Sequence, residues 1–149
     1  MTRIDFHFNV PDKLGYICRL VRKAVAQTPS LVVIGPQEQL AQLDVMLWQF
    51  APTAFVGHAW LKDEAAHAQP ASQRARVWLA HEPAHAPRHD VLLNLQAAVM
   101  AGFEQFERVV EVVGLHDADR QAARERWRHY AARGYAIQRH DFGVSGRQS

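Results

Sequence analysis

The chain has 149 residues, is 48% hydrophobic and 21% charged, and carries a formal net charge of +2. That is apolar material for one domain with a real core, which excludes a disordered or low-complexity chain. No run approaches the ~18 apolar residues of a membrane span, and a single cysteine, Cys18, forms neither an internal disulfide nor a cysteine-based zinc site.

Arg3 to Val10 alternates, placing Ile4, Phe6, Phe8 and Val10 on one face of a strand. The segment has no apolar signal-peptide core, so a cytoplasmic protein is expected. Pro11 stops the strand, and Asp12 can cap a helix from Lys13 to about Gln27 with Leu14, Ile17, Cys18, Val21 and Val25 as its apolar stripe. Leu31 to Gly35 reads as a buried central strand. Pro36 opens a second helix through Gln49, with Leu40, Leu43, Leu47 and Trp48 turned inward.

Residues 50–76 are irregular, and Ala65 to Arg76 suits a long surface loop. Val77–Ala80, Asp90–Leu95 and Val109–Leu115 read as three further strands. A helix from Asp117 to Arg133 follows, stopped by Gly134 at the position after its C-cap. Tyr135–Arg139 makes a last strand, and residues 143–149 a frayed tail beyond a single domain of residues 1–142. The alternation predicts a three-layer α/β domain, Rossmann-like, with a mixed, mostly parallel sheet flanked by helices.

Several enzyme signatures fail on their chemistry. His81-Glu82-Pro83-Ala84-His85 matches a zinc-protease spacing, but that site needs a helix, and Pro83 in a helix interior costs ~3 kcal/mol. Neither a G-x-G-x-x-G nor a G-x-x-x-x-G-K-[ST] loop occurs, and Pro36 lacks the N–H that a phosphate cradle uses. There is no G-x-S-x-G elbow, and Cys18 sits on an apolar stripe. The expectation is a non-enzymatic domain with no catalytic residues, no metal and no cofactor.

Charge is concentrated at the end. Residues 120–149 hold seven arginines against two acids, while residues 1–119 balance at −3. Arg120, Arg124, Trp127 and Arg128 share one face of the last helix. Arginine suits bidentate recognition of a carboxylate, and tryptophan suits one wall of an apolar pocket. The same spacing also describes a solvated arginine face. Trp48, Phe50 and Phe55 form a second aromatic group, which fits either an interface or closure of the core.

Four blocks resemble the chi subunits of bacterial DNA polymerase III: Leu43-Asp44-x-x-Leu47-Trp48; Phe55-Val56-x-His58; Arg88-x-Asp90-Val91-Leu92-Leu93-x-Leu95; and Ala123-Arg124-Glu125-Arg126-Trp127-Arg128-x-Tyr130, followed by Gly134-Tyr135. The resemblance implies an accessory subunit of a DNA-directed DNA polymerase holoenzyme, non-catalytic by itself. It implies an α/β fold without a phosphate loop, and a link from the clamp-loader complex, through a psi subunit, to the acidic C-terminal tail of single-stranded-DNA-binding protein. Carried over by position, the tail-binding residues are Arg124, Trp127, Arg120, Arg128 and Val113, and the psi-facing aromatics are Trp48 and Phe55. Arg120 and Arg128 stand where family members often have lysine, and Trp127 where a tyrosine would fit. The alternative is direct single-stranded nucleic-acid binding through the same arginine-rich helix.

Overall fold

Among the described residues, seven strands form one sheet in the order β3-β4-β2-β5-β6-β1-β7. They are β1 (Arg3–Phe8), β2 (Leu31–Ile34), β3 (His58–Trp60), β4 (Val77–Ala80), β5 (Val91–Asn94), β6 (Arg108–Val112) and β7 (Ile137–Asp141). Among the described residues the helices are α1 (Lys13–Ala24), α2 (Gln37–Phe50) and α3 (Asp117–Ala132), with a 3-10 turn at Phe103–Gln105. This computed structural model describes residues 2–50, 58–61, 75–83 and 86–142.

Every pairing in the sheet is parallel, which corrects the mixed sheet expected from sequence. The reason is that β4 and β5, consecutive in the chain, are not neighbours; β2 lies between them and pairs in parallel with both. A parallel sheet is covered on both faces, and β2, β4 and β5 are accordingly buried at every position. On one face, Ile17, Cys18 and Val21 of α1 and Leu40, Leu43 and Leu47 of α2 pack on Leu31, Val33, Leu79 and Leu93. On the other, Ala123 and Tyr130 of α3 join Phe103 and Phe106 over Ile4, Phe6, Trp78 and Leu92. The result is three layers.

Local chemistry sets the helix ends. The Asp12 carboxylate accepts from Gly15 N–H at 3.2 Å and caps α1. α1 ends at Ala24, earlier than the expected Gln27, because the Gln27 and Thr28 amides turn back onto the Ala24 carbonyl at 2.9 Å ahead of Pro29. Gly134 (φ +79°) follows the C-cap of α3 in the left-handed region, with Tyr135 N–H donating to the Tyr130 carbonyl. Gly35 has a packing reason: a Cβ there would lie 2.9 Å from the Leu95 Cβ. Pro36 then begins the first turn of α2, its carbonyl accepting from Leu40 N–H.

Three further differences from the sequence pattern emerge. β3 falls inside the segment read as irregular, and it pairs with β4 at a sheet edge. Trp48, expected inward, is 58% exposed on the outer side of α2. Of the expected surface loop, residues 65–74 lie outside the described residues. Ala75 is buried, and Arg76 donates to the carbonyls of Val25, Thr28 and Pro29.

Cys18 is fully buried, and burial pushes its thiol up to about 11. Relative to an ordinary thiol of pKa 9.0, the thiolate fraction at a given pH falls ~100-fold. Cys18 is therefore expected to resist iodoacetamide in the native protein at pH 8 and to label once urea unfolds it. Stoichiometric native labelling at the unfolded rate would contradict its burial between α1 and the sheet.

Candidate anion-binding cleft beside the last helix

β1 ends at Phe8, and Asn9 takes a left-handed conformation (φ 60°), one that asparagine tolerates better than most side chains. This turn brings the C-terminal end of β1 beneath α3 and beside the edge strand β7. In parallel α/β sheets, the carboxyl ends of the strands are where ligand crevices form. A cavity of about 400 Å³ opens here, lined by Phe8, Asn9, Arg120, Arg124, Trp127, Arg128 and Arg139.

Its floor is aromatic. Trp127 packs with its ring centroid 5.1 Å from Phe6 and 6.0 Å from Phe8, and Phe8 stacks on Phe6 at 5.5 Å. Trp127 is therefore half core residue and half cavity wall, which suits an amphipathic ring at a partly wet site.

The four guanidiniums differ in how far they are already committed. Arg120 donates to Asn9 Oδ1 at 2.8 Å, and Asn9 Nδ2 donates to Asp141 Oδ1 at 2.7 Å. Arg128 pairs with Glu125 at 2.6 Å, both side chains being about two-thirds exposed, so the pair is worth little, ~0–1 kcal/mol. Arg139 lies 5.0 Å over the Phe8 ring and pairs with Asp141 at 3.2 Å. Arg124 is exposed on α3 and has no hydrogen-bond or ion-pair partner among the described residues. It is the cation left open to a ligand.

Beneath the cleft a buried polar network ties α3 to the sheet. Arg126 Nε donates to Glu111 Oε1 at 2.8 Å, while the Tyr130 hydroxyl and Asn94 Nδ2 donate to Oε2 at 2.7 and 3.1 Å. Arg126 also donates to the Ala97 carbonyl at 3.0 Å. Burial raises the Glu111 carboxyl above the ordinary carboxylate range, with the Arg126 charge and the three donors pulling back down. Burial and the neighbouring Glu111 also push the Tyr130 phenol upward. The network orients α3 so that Trp127, one residue on, faces the cleft.

Arg120, Arg124, Trp127 and Arg128 thus come together around one cavity. Val113 does not join them. It is fully buried in the cluster against which Trp127 packs, so it backs the wall and offers a ligand no surface. Phe8, Asn9 and Arg139 belong to the cleft although sequence spacing gave no sign of them. Their one signal is the alternation of Arg3–Val10 and Tyr135–Arg139, which would have sufficed had the pairing of β1 with β7 been known. Trp48 lies in the opposite helical layer, and Phe55 lies outside the described residues. In the His81–His85 motif, His81 and Glu82 form a bend and Pro83 is buried in a 3-10 turn, its carbonyl contacting His89 Nε2 at 3.1 Å, while residues 84 and 85 lie outside the described residues. Among the described residues, no group of three His, Cys, Asp or Glu side chains could hold a metal. None of the described helices is long and apolar enough to cross a membrane.

The family profile described as "DNA polymerase III chi subunit, HolC" matches residues 1–138. The chain belongs to the DNA polymerase III chi subunit family. Among curated relatives, the DNA polymerase III subunit chi of Pseudomonas aeruginosa is 34% identical over 146 residues, covering 94% of this chain and 96% of that protein. The subunit of the same name from Haemophilus influenzae is 26% identical over 113 residues, covering 76% and 75%. As a chi-family chain it is a replication protein, with a fold that carries no phosphate-binding loop between β2 and α2.

Proposed function

We propose that this chi-family chain is a non-catalytic adaptor of the DNA polymerase III holoenzyme. It would join the clamp-loader complex, through a psi subunit docking at Trp48 and Phe55, to the acidic C-terminal tail of single-stranded-DNA-binding protein at the α3 cleft. The observation that carries this reading is Arg124, an uncommitted guanidinium beside an apolar floor of Trp127 and Phe8. Arg124 would hold the terminal α-carboxylate of the tail, and the two rings would seat a terminal phenylalanine. Arg120 and Arg128 would draw in the preceding aspartates, adding on-rate and salt sensitivity more than depth of binding.

The layout also suits a linker. α2 packs toward the β3 and β4 edge on one face, whereas the cleft lies at the β7 edge on the other. Seven strands at ~4.8 Å spacing separate the two by roughly 30 Å, so two partners could be held without collision.

Direct nucleic-acid binding is the second reading, favoured by the arginine content alone. Against it, the cations gather around one cavity of about 400 Å³, and residues 1–119 balance at −3, a weak long-range attractor for a polyanion. Fluorescence anisotropy separates the two readings, using a labelled acidic peptide ending in Pro-Phe and a labelled oligodeoxythymidine in parallel. The peptide is expected to bind in the micromolar range, about −8 kcal/mol, with Arg124→Ala weakening it at least ~10-fold. Tighter, salt-sensitive binding of the oligonucleotide, with the peptide unbound, would make the helix a nucleic-acid surface instead.

A further inference from the structure

The cleft has a cationic wall that α3 does not supply. In the β1–β7 register Arg139 is paired with Phe6 and Asp141 with Phe8, so both side chains stand on the α3 face of the edge strand. Arg139 lies 5.0 Å over Phe8 on this wall, and Trp127 contacts the same ring from α3 at 6.0 Å. The guanidinium of Arg139 and those of Arg120, Arg124 and Arg128 therefore line one cavity from two different elements. Arg139 already holds a carboxylate: its Nη2 donates to Asp141 Oδ2 at 3.2 Å, while Oδ1 accepts from Asn9 Nδ2 at 2.7 Å.

We propose that Arg139 is a specificity-determining residue of this cleft, reading a side-chain carboxylate of the bound acidic peptide from the wall opposite α3, with Asp141 as the internal carboxylate that ligand must share or displace. This rests on the reading of the cleft as an acidic-peptide site. With a terminal carboxylate on Arg124 and an aromatic ring on Phe8 and Trp127, the Arg139 guanidinium stands on the β7 side of the same cavity, in place to meet a side-chain carboxylate upstream. Arg139 is bound to the protein on one side only, its side chain being 62% exposed, so it can turn toward a second carboxylate without breaking the core. Asp141, on the same strand, keeps the guanidinium over Phe8 and lowers its pull on anions when the cleft is empty. The site thus discriminates between an acidic tail and any peptide that merely ends in phenylalanine.

The test is calorimetric titration of the full chain with two peptides that share a free C-terminal Pro-Phe, one with upstream aspartates and one with these changed to asparagine. Arg139→Gln is expected to weaken the aspartate peptide roughly three- to tenfold and to leave the asparagine peptide unchanged. Asp141→Asn, which keeps the Asn9 contact, is expected to tighten the aspartate peptide roughly two- to fivefold, and to give no gain when Arg139→Gln is also present. Arg139→Gln without effect on the aspartate peptide, or with equal effect on both peptides, overturns the assignment while leaving the acidic-peptide site standing. Wild type that binds neither peptide overturns that site and the assignment together.

Discussion

Arg126→Met is expected to destabilise the protein by ~3–5 kcal/mol, the usual cost of stripping one partner from a buried ion pair. Arg126 and Glu111 are 2% and 0% exposed at the side chain and lie 2.8 Å apart. Removing the guanidinium leaves Glu111 with only Tyr130 and Asn94 as donors, inside a site where burial already works against its charge. The carboxylate must then take up a proton or open the packing beneath α3. For a chain of this size the melting temperature should fall by about 10–15 °C. Adding Glu111→Gln to Arg126→Met should recover part of the loss, because the neutral amide carries no buried charge. An unfolding free energy of Arg126→Met within ~1 kcal/mol of wild type would contradict the buried pair. The same exposure contrast explains why the Arg128–Glu125 pair, about two-thirds exposed on both sides, should be replaceable at little cost.

Stability is expected to fall as pH drops from about 6.5 toward 4, through His7. Its ring is held down to about 4, first by burial, then by His140 and Arg108, with Asp5 opposing. Nδ1 shares a hydrogen bond with the Tyr16 hydroxyl, and Nε2 is buried without a partner among the described residues, so an added proton would have no acceptor there. The ring also packs against His140 and Phe142 at centroid distances of 4.8 and 5.8 Å. Because the folded state binds this proton less readily than the unfolded chain, the contribution is complete above pH 6.5. It is lost progressively down to about 4 and changes no further below that. The depth of the loss is about 3 kcal/mol, the pKa difference converted at 1.36 kcal/mol per unit. Urea midpoints at pH 7 and 4.5, compared between wild type and His7→Asn, isolate the effect from the other acids. An equal pH slope in both proteins would contradict the neutral buried ring.

Much of this architecture was legible in the sequence, for identifiable reasons. The alternation of Ile4, Phe6 and Phe8 and the unbroken β-branched run of Leu31–Ile34 specify strands by side-chain period. Asp12 and Gly134 mark helix ends through capping chemistry that needs no tertiary context. β3 was not legible, because three residues carry too little pattern and owe their extended form to pairing with β4. The sheet is parallel throughout rather than mixed for a related reason: order along the chain does not say that β2 inserts between β4 and β5.

The cleft divides along the same line. Arg120, Arg124, Trp127 and Arg128 sit on one helix, where spacing alone places them on a shared face. Phe8, Asn9 and Arg139 reach the cavity only through the pairing of β1 with β7, elements more than a hundred residues apart. Val113 was assigned by resemblance, and only the burial of β6 and its flank shows that it stands behind the wall. Trp48 departs from the inward stripe of α2, since Leu40, Leu43 and Leu47 already fill the contact with the sheet.

We propose above that the α3 cleft takes the free carboxyl end of an acidic peptide. The most direct measurement is calorimetric titration of the wild-type chain with one acidic peptide ending in Pro-Phe, prepared as the free acid and as the C-terminal amide. One-to-one micromolar binding of the free acid is expected, with a loss of at least ~10-fold on amidation, since Arg124 then has no carboxylate to hold. Equal affinity for acid and amide, or no binding of either, would contradict it.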